Sequence, residues 1–451
     1  MKQTNLFQEF RPISTKEWKQ QIQMELKGAD YNNTLVWQSL EGISVKPFYH
    51  ADSYNFIEIP TSKNNYKVSQ SIFVDQPEVA NKIALKQLIN GVEVIHFIAN
   101  QSFDLDVLFQ KFESLTLKPI VNFELQFLSK TFTAALLNFS NKFEINIQLD
   151  PIGRLTKTGT WFQNKETDFD VIKSTTQKYS KKQIVSINAA HYQNSGATIV
   201  QQVAYALSHA MEYLLLDNDL NSIQVKFAVG NNYFFEIAKL RAFRYLWKQL
   251  TDKYQKNISL CIIAAPSNRN KTLYDYNVNM LRTSTEYMSA VLGGADVVNT
   301  YAYDQEFKKS NAFSNRIAKN QLLILRAESG FDKAQEFAKG SYYIESLTLE
   351  IANKALEIFK QIENSGGFLA NLKSGTIQRK IKESAQKEQD LFDSGALSLL
   401  GTNKYPNKED QMKDQLELYP FAKPNKQQIS IQPIFARRLA EKMEQERLDN
   451  E

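Results

Sequence analysis

Residues 183–230 decide the fold, and they read QIVSINAAHYQNSGATIVQQVAYALSHAMEYLLLDNDLNSIQVKFAVG. Apolar, β-rich runs of strand length open and close this stretch, at 183–190 and 223–230. Between them, residues 198–216 have the apolar spacing of a helix that is long enough for a right-handed crossover between parallel strands. The stretch therefore predicts one strand, helix and strand of a parallel sheet.

Similar units surround this one. Further strands are predicted at 92–99, 119–127, 143–150, 258–265 and 296–303, and further helices at 233–254 and 275–292. No glycine-rich phosphate loop follows the early strands, so the pattern favours an α/β fold with a closed (β/α)8 TIM barrel over an open doubly wound sheet. The eighth strand cannot be recognised from the pattern.

The chain is expected to have three parts. Residues 1–60 mix turn formers with one helix near 15–26 and predict an N-terminal extended arm for subunit contact. Residues 61–400 would form the barrel, with late helices at 343–365 and 376–392. Residues 401–451 are rich in proline and polar residues before a final charged helix, which predicts a C-terminal helical linker.

Composition excludes several functional classes. The 451 residues include 54 Lys plus Arg and 49 Asp plus Glu, a net charge of only +5 that is spread along the chain. Neither a nucleic acid nor an anionic membrane surface is therefore an expected partner. The single cysteine, Cys261, allows no intrachain disulfide, and no Cys or His pair has zinc-site spacing, so no metal site is predicted. With no export signal and no apolar run of membrane-spanning length, we expect a cytoplasmic protein.

The four histidines are the main candidates for chemistry, since the common catalytic and nucleotide-binding motifs are absent. His191 follows a predicted strand and precedes a helix, which in a barrel is the C-terminal rim where catalytic groups lie. It could act there as a general acid toward a substrate carbonyl, or it could be a rim histidine tied into a loop. His96 is expected in the wall of the barrel, His209 on a helix face and His50 in a loop of the arm.

The predicted helix that begins near residue 233 has an apolar stripe that core packing explains without a ligand. Glu236 and Lys239 lie one turn apart on this helix, and we expect them to pair on its exposed side.

Six stretches, in order, resemble one known family. They are SLEGISVKPFY (39–49), HYQNSGATIVQQVAYALSHAMEYL (191–214), FFEIAKLRAFRYLW (234–247), NMLRTSTEYMSAVLGGADVVNTYAYD (279–304), GSYYIESLT (340–348) and LLGTNKY (399–405). Together they are similar to the adenosylcobalamin-dependent acyl-CoA mutases, in particular methylmalonyl-CoA mutase. The resemblance implies a barrel whose axis is threaded by the pantetheine arm of acyl-CoA, with cobalamin on a second domain at the C-terminal rim. It also implies a radical interconversion of (R)-methylmalonyl-CoA and succinyl-CoA, in which the cofactor supplies the difficult chemistry.

This chain departs from the family's catalytic pattern. Ala190 and Ser71 stand where the resemblance places two tyrosines, and Ser222 stands at the position of an arginine that contacts CoA phosphates. The family's polar catalytic strand aligns with 262–265, which reads Ile-Ile-Ala-Ala. Lys181 and His191 match retained positions and are the CoA-binding candidates; no residue is predicted to be catalytic. No histidine follows His209, so the cobalt ligand of the family is not expected on this chain.

The substitutions at 262–265 suggest a lumen filled with hydrocarbon. The chain accordingly resembles the non-catalytic small (beta) subunit of the family, which would pair with a catalytic alpha subunit that binds adenosylcobalamin and acyl-CoA. Two alternatives remain open. One is the catalytic barrel of a split acyl-CoA mutase with cobalamin on a separate chain, and the other is a solitary pseudoenzyme that binds a CoA ester.

Overall fold

Eight parallel strands form a closed barrel. The computed structural model describes residues 9–54, 56–61, 65–116, 118–139, 143–217, 219–333, 335–422 and 429–451. The strands of the barrel are β3 (Lys67–Phe73), β4 (Val94–Ala99), β5 (Ile120–Leu125), β6 (Glu144–Ile147), β7 (Val185–Asn188), β8 (Ser222–Val229), β9 (Ser259–Pro266) and β10 (Val297–Asn299). Before them, β1 (Trp37–Gln38) and β2 (Ser44–Val45) form a short antiparallel ribbon.

The strand order around the barrel is β6-β5-β4-β3-β10-β9-β8-β7, and all of these pairs are parallel. The ends of this order meet because Leu149, just after β6, bridges Val185 of β7. The amide of Leu149 donates to the carbonyl of Ile184 at 2.9 Å, which extends the same contact. The predicted (β/α)8 barrel is therefore confirmed.

The helices lie mostly outside the barrel. In chain order they are α1 (Thr15–Glu25), α2 (Tyr31–Leu35), α3 (Pro77–Ile89), α4 (Leu105–Leu108), α5 (Lys130–Asn138), α6 (Pro151–Thr158), α7 (Lys165–Lys178), α8 (Ala190–Asn194), α9 (Ile199–Leu216), α10 (Tyr233–Lys253), α11 (Val278–Leu292), α12 (Ala312–Ala327), α13 (Tyr342–Asn364), α14 (Gly367–Lys373), α15 (Thr376–Asp393) and α16 (Glu441–Asp449). Each of the predicted helices falls within a few residues of one of these.

The eighth strand is β3, which the sequence pattern did not reveal. Its sequence, KVSQSIF, carries three consecutive polar residues at its centre, Ser69 to Ser71. Ser69 and Gln70 are nevertheless buried. A strand whose inner face contacts other polar side chains lacks the apolar run that identifies a buried parallel strand, and β3 is such a strand.

The main hydrophobic core lies between the outer face of the barrel and the helices. Phe227 of β8 and Phe243 of α10 are both fully buried there, with ring centroids 5.0 Å apart. Burial of one such side chain contributes roughly 2–3 kcal/mol. Helix α9 begins in a capping box, in which Thr198 and Gln201 satisfy each other's backbone amides, and this fixes the point where the chain leaves the rim.

The pair Glu236 and Lys239 is buried, so the expectation that it lies on the exposed side of α10 is wrong. The Lys239 side chain is 0% exposed and that of Glu236 is 2% exposed. The ammonium of Lys239 contacts the Glu236 carboxylate and donates to the carbonyl of Ala228 at 2.6 Å. The same ammonium donates to Gln193 of α8 and to Gln202 of α9, so this side of α10 faces other elements of the chain and not solvent. The pair ties α10 to the end of β8.

We expect Lys239→Met to destabilise the chain by about 3–5 kcal/mol, because the Glu236 carboxylate would remain buried without its partner. The double variant Glu236→Gln/Lys239→Met should recover much of that loss. The measurement is urea unfolding followed by circular dichroism. Lys248→Met is the control, since Lys248 lies on the same helix but is 56% exposed. Equal unfolding midpoints for Lys239→Met and Lys248→Met would contradict the expectation.

Candidate functional site

The candidate site is a cavity of about 960 Å³ at the C-terminal ends of the strands. Its wall includes the ends of β3, β7, β8, β9 and β10, together with the C-terminal segment of the chain. Carboxyl ends of parallel strands meet at one rim of a barrel, and this is where barrel proteins place their functional side chains. We call this space the mouth cavity.

His191 lies at the mouth cavity, on the short helix α8 that follows β7. Its Nε2 is 2.8 Å from the carbonyl oxygen of Ile434, so this nitrogen carries the proton and donates. Burial, assisted by the charge of Lys157, lowers the pKa of His191 to about 4. The imidazole is therefore neutral near pH 7 and donates a hydrogen bond to the C-terminal segment. This is the arrangement expected of a rim histidine that is tied into a loop.

The other positions that the family resemblance singled out separate into two groups. Ala190, Ser71 and Ala265 line the mouth cavity with His191. Lys181 is exposed and lies before the start of β7, at the opposite end of the barrel. Ser222 is at that same end, where its hydroxyl donates to the carbonyl of Lys182. The two CoA-binding candidates, Lys181 and His191, are thus not brought together by the fold.

One sector of the barrel lumen is apolar. Ile263 of β9 packs there with Val94 and Val297, in a small cluster distinct from the main core. Ile262 and Ala264 point the other way and belong to the main core between the sheet and the helices. Because side chains alternate along a strand, only half of the aliphatic stretch 262–265 can fill the lumen.

Much of the remaining lumen is polar, so the expectation of a lumen filled with hydrocarbon is wrong. Glu124 of β5 lies 3.5 Å from the ammonium of Lys226 on β8, two strands that are not neighbours in the barrel. His96 of β4 places its Nε2 3.2 Å from the same carboxylate. We call these three residues the lumen cluster. The expectation was drawn from one strand, whereas the polar groups are on the others.

Protonation of the lumen cluster follows from its geometry. Burial lowers the pKa of His96, and its side chain is 0% exposed. Burial opposes ionisation of Glu124, but the charge of Lys226 and the contact with His96 outweigh it and lower the pKa of this carboxyl. Near pH 7 the cluster is therefore a carboxylate and an ammonium beside a neutral imidazole. Such a group occupies the axis with paired charge.

Amide side chains fill the lumen beside this cluster. Gln148, just after β6, donates to the side-chain oxygen of Gln224 on β8 at 2.9 Å, and Asn146 donates to Asn122 at 3.1 Å. Asn122, Asn146, Gln148 and Gln224 are all buried. Hydrogen bonds of this kind between inward-facing amides satisfy polar groups within the protein, as buried polar groups require.

The C-terminal segment folds back over the mouth. The amide of Ile434 donates to the carbonyl of Thr156, the amide of Arg437 to that of Asn194, and the amide of Leu439 to that of Arg269. Arg438 is 4% exposed and pairs with Glu444 of α16, whose carboxylate also accepts from the amide of Leu273 at 2.7 Å. The sequence predicted a linker at 401–451 and did not reveal these contacts. Arg438 and Glu444 are six residues apart in a charged stretch, and such a stretch gives no sign that its side chains are buried.

The described residues lack a convergent set of metal ligands and a helix suited to a membrane. Within them, no three His, Cys, Asp or Glu side chains converge in a way that could hold a metal ion. Across the same ranges, none of the helices combines the length and the apolar character needed to cross a bilayer.

We expect the chain to lose stability as pH falls from 6.5 to about 4, in part because of His191. The folded state keeps this imidazole neutral down to a pKa of about 4. The unfolded state takes up the proton near pH 6.5, so unfolding binds more protons in this window. His191→Gln should lose less stability than the wild type between pH 6.5 and 4.5, by about 2 kcal/mol. The measurement is chemical unfolding at each pH, with His50→Gln in the arm as control; parallel pH profiles for wild type and His191→Gln would refute the expectation.

Comparison with known proteins places these observations in a family. The sequence model of methylmalonyl-CoA mutase matches residues 129–450. The methylmalonyl-CoA mutase small subunit of Porphyromonas gingivalis is 31% identical, over 99% of this chain and 78% of that protein. Among solved structures, the dihydropteroate synthase of Yersinia pestis aligns with a TM-score of 0.31 and 13% identity, over 58% of this chain and 93% of that one; a likeness at this level carries no argument.

Other relatives align with part of this chain. The methylmalonyl-CoA mutase of Rhizobium meliloti is 35% identical, over 61% of this chain and 40% of that protein. The methylmalonyl-CoA mutase large subunit of Streptomyces virginiae is 34% identical, over 55% of this chain and 36% of that protein. The matches with these two relatives span less than half of their length. On the family match, and on similarity to a small subunit along nearly its whole length, this chain belongs to the methylmalonyl-CoA mutase family.

Proposed function

We propose that this chain is the non-catalytic small subunit of an adenosylcobalamin-dependent methylmalonyl-CoA mutase. A catalytic large subunit would be its partner and would interconvert (R)-methylmalonyl-CoA and succinyl-CoA. The observation that carries the proposal is the lumen cluster of Glu124, His96 and Lys226, because it occupies the axis along which a thioester would have to extend.

The cluster opposes catalysis here for an energetic reason. A pantetheine arm in the lumen would have to separate Glu124 from Lys226, which lie 3.5 Å apart and are largely out of water. Removing the partner of a buried charge costs about 3–5 kcal/mol, and the amide pairs beside it would lose their hydrogen bonds as well. This barrel has therefore replaced a ligand channel with its own internal contacts.

Adenosylcobalamin does not fit the residues at the mouth. Nε2 of His191 already donates its hydrogen bond to the carbonyl of Ile434, and the C-terminal segment covers the rim at which the cofactor would have to bind. Ala190 and Ser71 offer no aromatic face there. We assign the cofactor and the substrate to the large subunit and derive no step through them on this chain.

The arm is the proposed contact surface for the large subunit. Helix α1 has no buried residue, and its Trp18 and Met24 are 47% and 74% exposed. Phe10, just before this helix, is 71% exposed. By contrast, Ile43 further along the arm is fully buried against the barrel. A segment that is anchored at one end and apolar but exposed at the other is suited to covering a partner.

The decisive experiment is reconstitution. This chain alone, and this chain with a separate cobalamin-binding protein, should show no mutase turnover. With a methylmalonyl-CoA mutase large subunit it should form a stable complex that turns over. Turnover by this chain with only a free cobalamin-binding protein would overturn the proposal in favour of a catalytic barrel of a split mutase.

We expect deletion of residues 1–28 to weaken pairing with the large subunit by at least about tenfold, because it removes the exposed apolar side chains of α1. The unfolding temperature of the isolated chain should change little, since no residue of α1 is fully buried in it. Pairing is measured by sizing chromatography and by titration calorimetry.

The point variant Trp18→Ala should weaken pairing in the same direction. Leu281→Ala is its control, because Leu281 is 69% exposed but lies on the barrel helix α11. Undiminished pairing after the deletion, or equal loss in both point variants, would exclude the arm as the interface.

A further inference from the structure

We propose that the mouth cavity binds a small multivalent anion that carries carboxylate or phosphate groups. The inference goes beyond the proposed function and holds whether or not the chain pairs with a large subunit. Its basis is the convergence of lysine ammonium groups and asparagine amides from separate strand ends on one cavity of about 960 Å³. A cavity of this size accommodates a small metabolite.

The charge of the lining favours an anion. Among the described lining residues, Lys157, Lys226, Lys308 and Lys309 face a single acid, Asp304. Lys226 is paired with Glu124 in the lumen, but within the described ranges no carboxylate lies at ion-pair distance from the ammonium of Lys157, Lys308 or Lys309. Cationic groups around a concave, low-dielectric wall focus their field into the cavity and raise the local concentration of anions.

Lys157 borders both the mouth cavity and the space beside the lumen cluster. Its charge contributes to the lowered pKa of Glu124 in the lumen cluster and to that of His191 at the rim. Since Coulomb effects fall with distance and with exposure to water, one ammonium that acts on both groups must lie close to each of them. Lys157 is itself exposed, so a ligand can reach it without displacing an internal partner.

The asparagines provide a second, independent indication. Asn188 at the end of β7, Asn268 after β9 and Asn299 at the end of β10 all line the cavity. The side-chain oxygen of each is buried and accepts no hydrogen bond from the described residues. An unpaired carboxamide oxygen is an acceptor and does not itself attract an anion, but it leaves no hydrogen bond that would hold the side chain in one orientation. Each carboxamide can therefore turn its N–H groups toward an oxyanion in the cavity.

Other possible occupants of the mouth cavity account for fewer features of its wall. An apolar segment of a partner would leave the lysines and the amides without partners, at a desolvation cost for each. The C-terminal segment is not the missing occupant, because its residues Ile434, Phe435 and Ala436 already form part of the cavity wall. A multivalent anion matches both the net charge and the donors.

The test uses titration calorimetry on the full chain with two probes, pyrophosphate and citrate. At least one of them should bind saturably, and binding should weaken as ionic strength rises. Binding of pyrophosphate alone would assign a phosphate ligand and binding of citrate alone a carboxylate ligand; both results support the proposal. No saturable binding of either probe up to about 10 mM, weaker than about 3 kcal/mol, would overturn it.

Variants locate the binding site. Lys157→Gln should weaken binding about tenfold, equivalent to about 1.4 kcal/mol. Lys173→Gln is the matched control, since Lys173 is an exposed lysine on α7 that does not line the cavity. Ala265→Leu adds bulk to the cavity wall without changing charge and should also weaken binding, with circular dichroism as the check on folding. Equal affinity in Lys157→Gln and Lys173→Gln, with Ala265→Leu unaffected, would place binding elsewhere and refute the proposal.

Discussion

The contact between Glu124 and Lys226 inside the barrel is the constraint on which the rest of the structure depends. Two charges largely withdrawn from water are tolerated only when they face each other, and here they come from strands on different sides of the lumen. The pairing fixes which face of β5 and of β8 points inward. It also requires polar neighbours, and His96 with the amides of Gln148 and Gln224 supplies them. Removal of one partner of such a pair is costly, so the pair holds the two strands in one arrangement across the lumen.

The C-terminal segment has a corresponding effect at the rim. Backbone hydrogen bonds hold Ile434 against helix α6 and Leu439 against the loop that follows β9, and the Arg438–Glu444 pair buries charge beneath α16. Because His191 donates to this segment, the one histidine at the position of a family rim histidine has become a structural donor. The same imidazole can serve as a proton donor to a substrate or as a fixed donor to a peptide carbonyl, and its surroundings decide which. Here burial and Lys157 keep it neutral.

The barrel and the position of His191 could be predicted from the sequence because both follow from local patterns. The alternation of apolar strands with long helices predicts parallel connections, and a residue that follows a strand must lie at the C-terminal rim. The contents of the lumen could not be predicted in this way. Whether Glu124 meets Lys226 depends on barrel closure and stagger over about a hundred residues of chain, which no local pattern encodes. For the same reason the buried Glu236–Lys239 pair looked like an ordinary exposed helix pair, since it is the packing of α8, α9 and β8 on this side of α10 that removes it from solvent.

The departures from the family pattern acquire a different meaning once the mouth cavity is considered. Ala190, Ser71 and Ala265 are small, and each lines the cavity, so their size contributes to the space that is present there. Small side chains at a rim leave volume, and polar cavities in proteins are filled by polar occupants. The wall here is rich in lysine and asparagine, so it suits a polar occupant. A barrel that has closed its axis with paired charge can therefore still keep a binding site at its mouth. The small residues that argue against mutase chemistry in this chain are the same ones that make room for the proposed binding site.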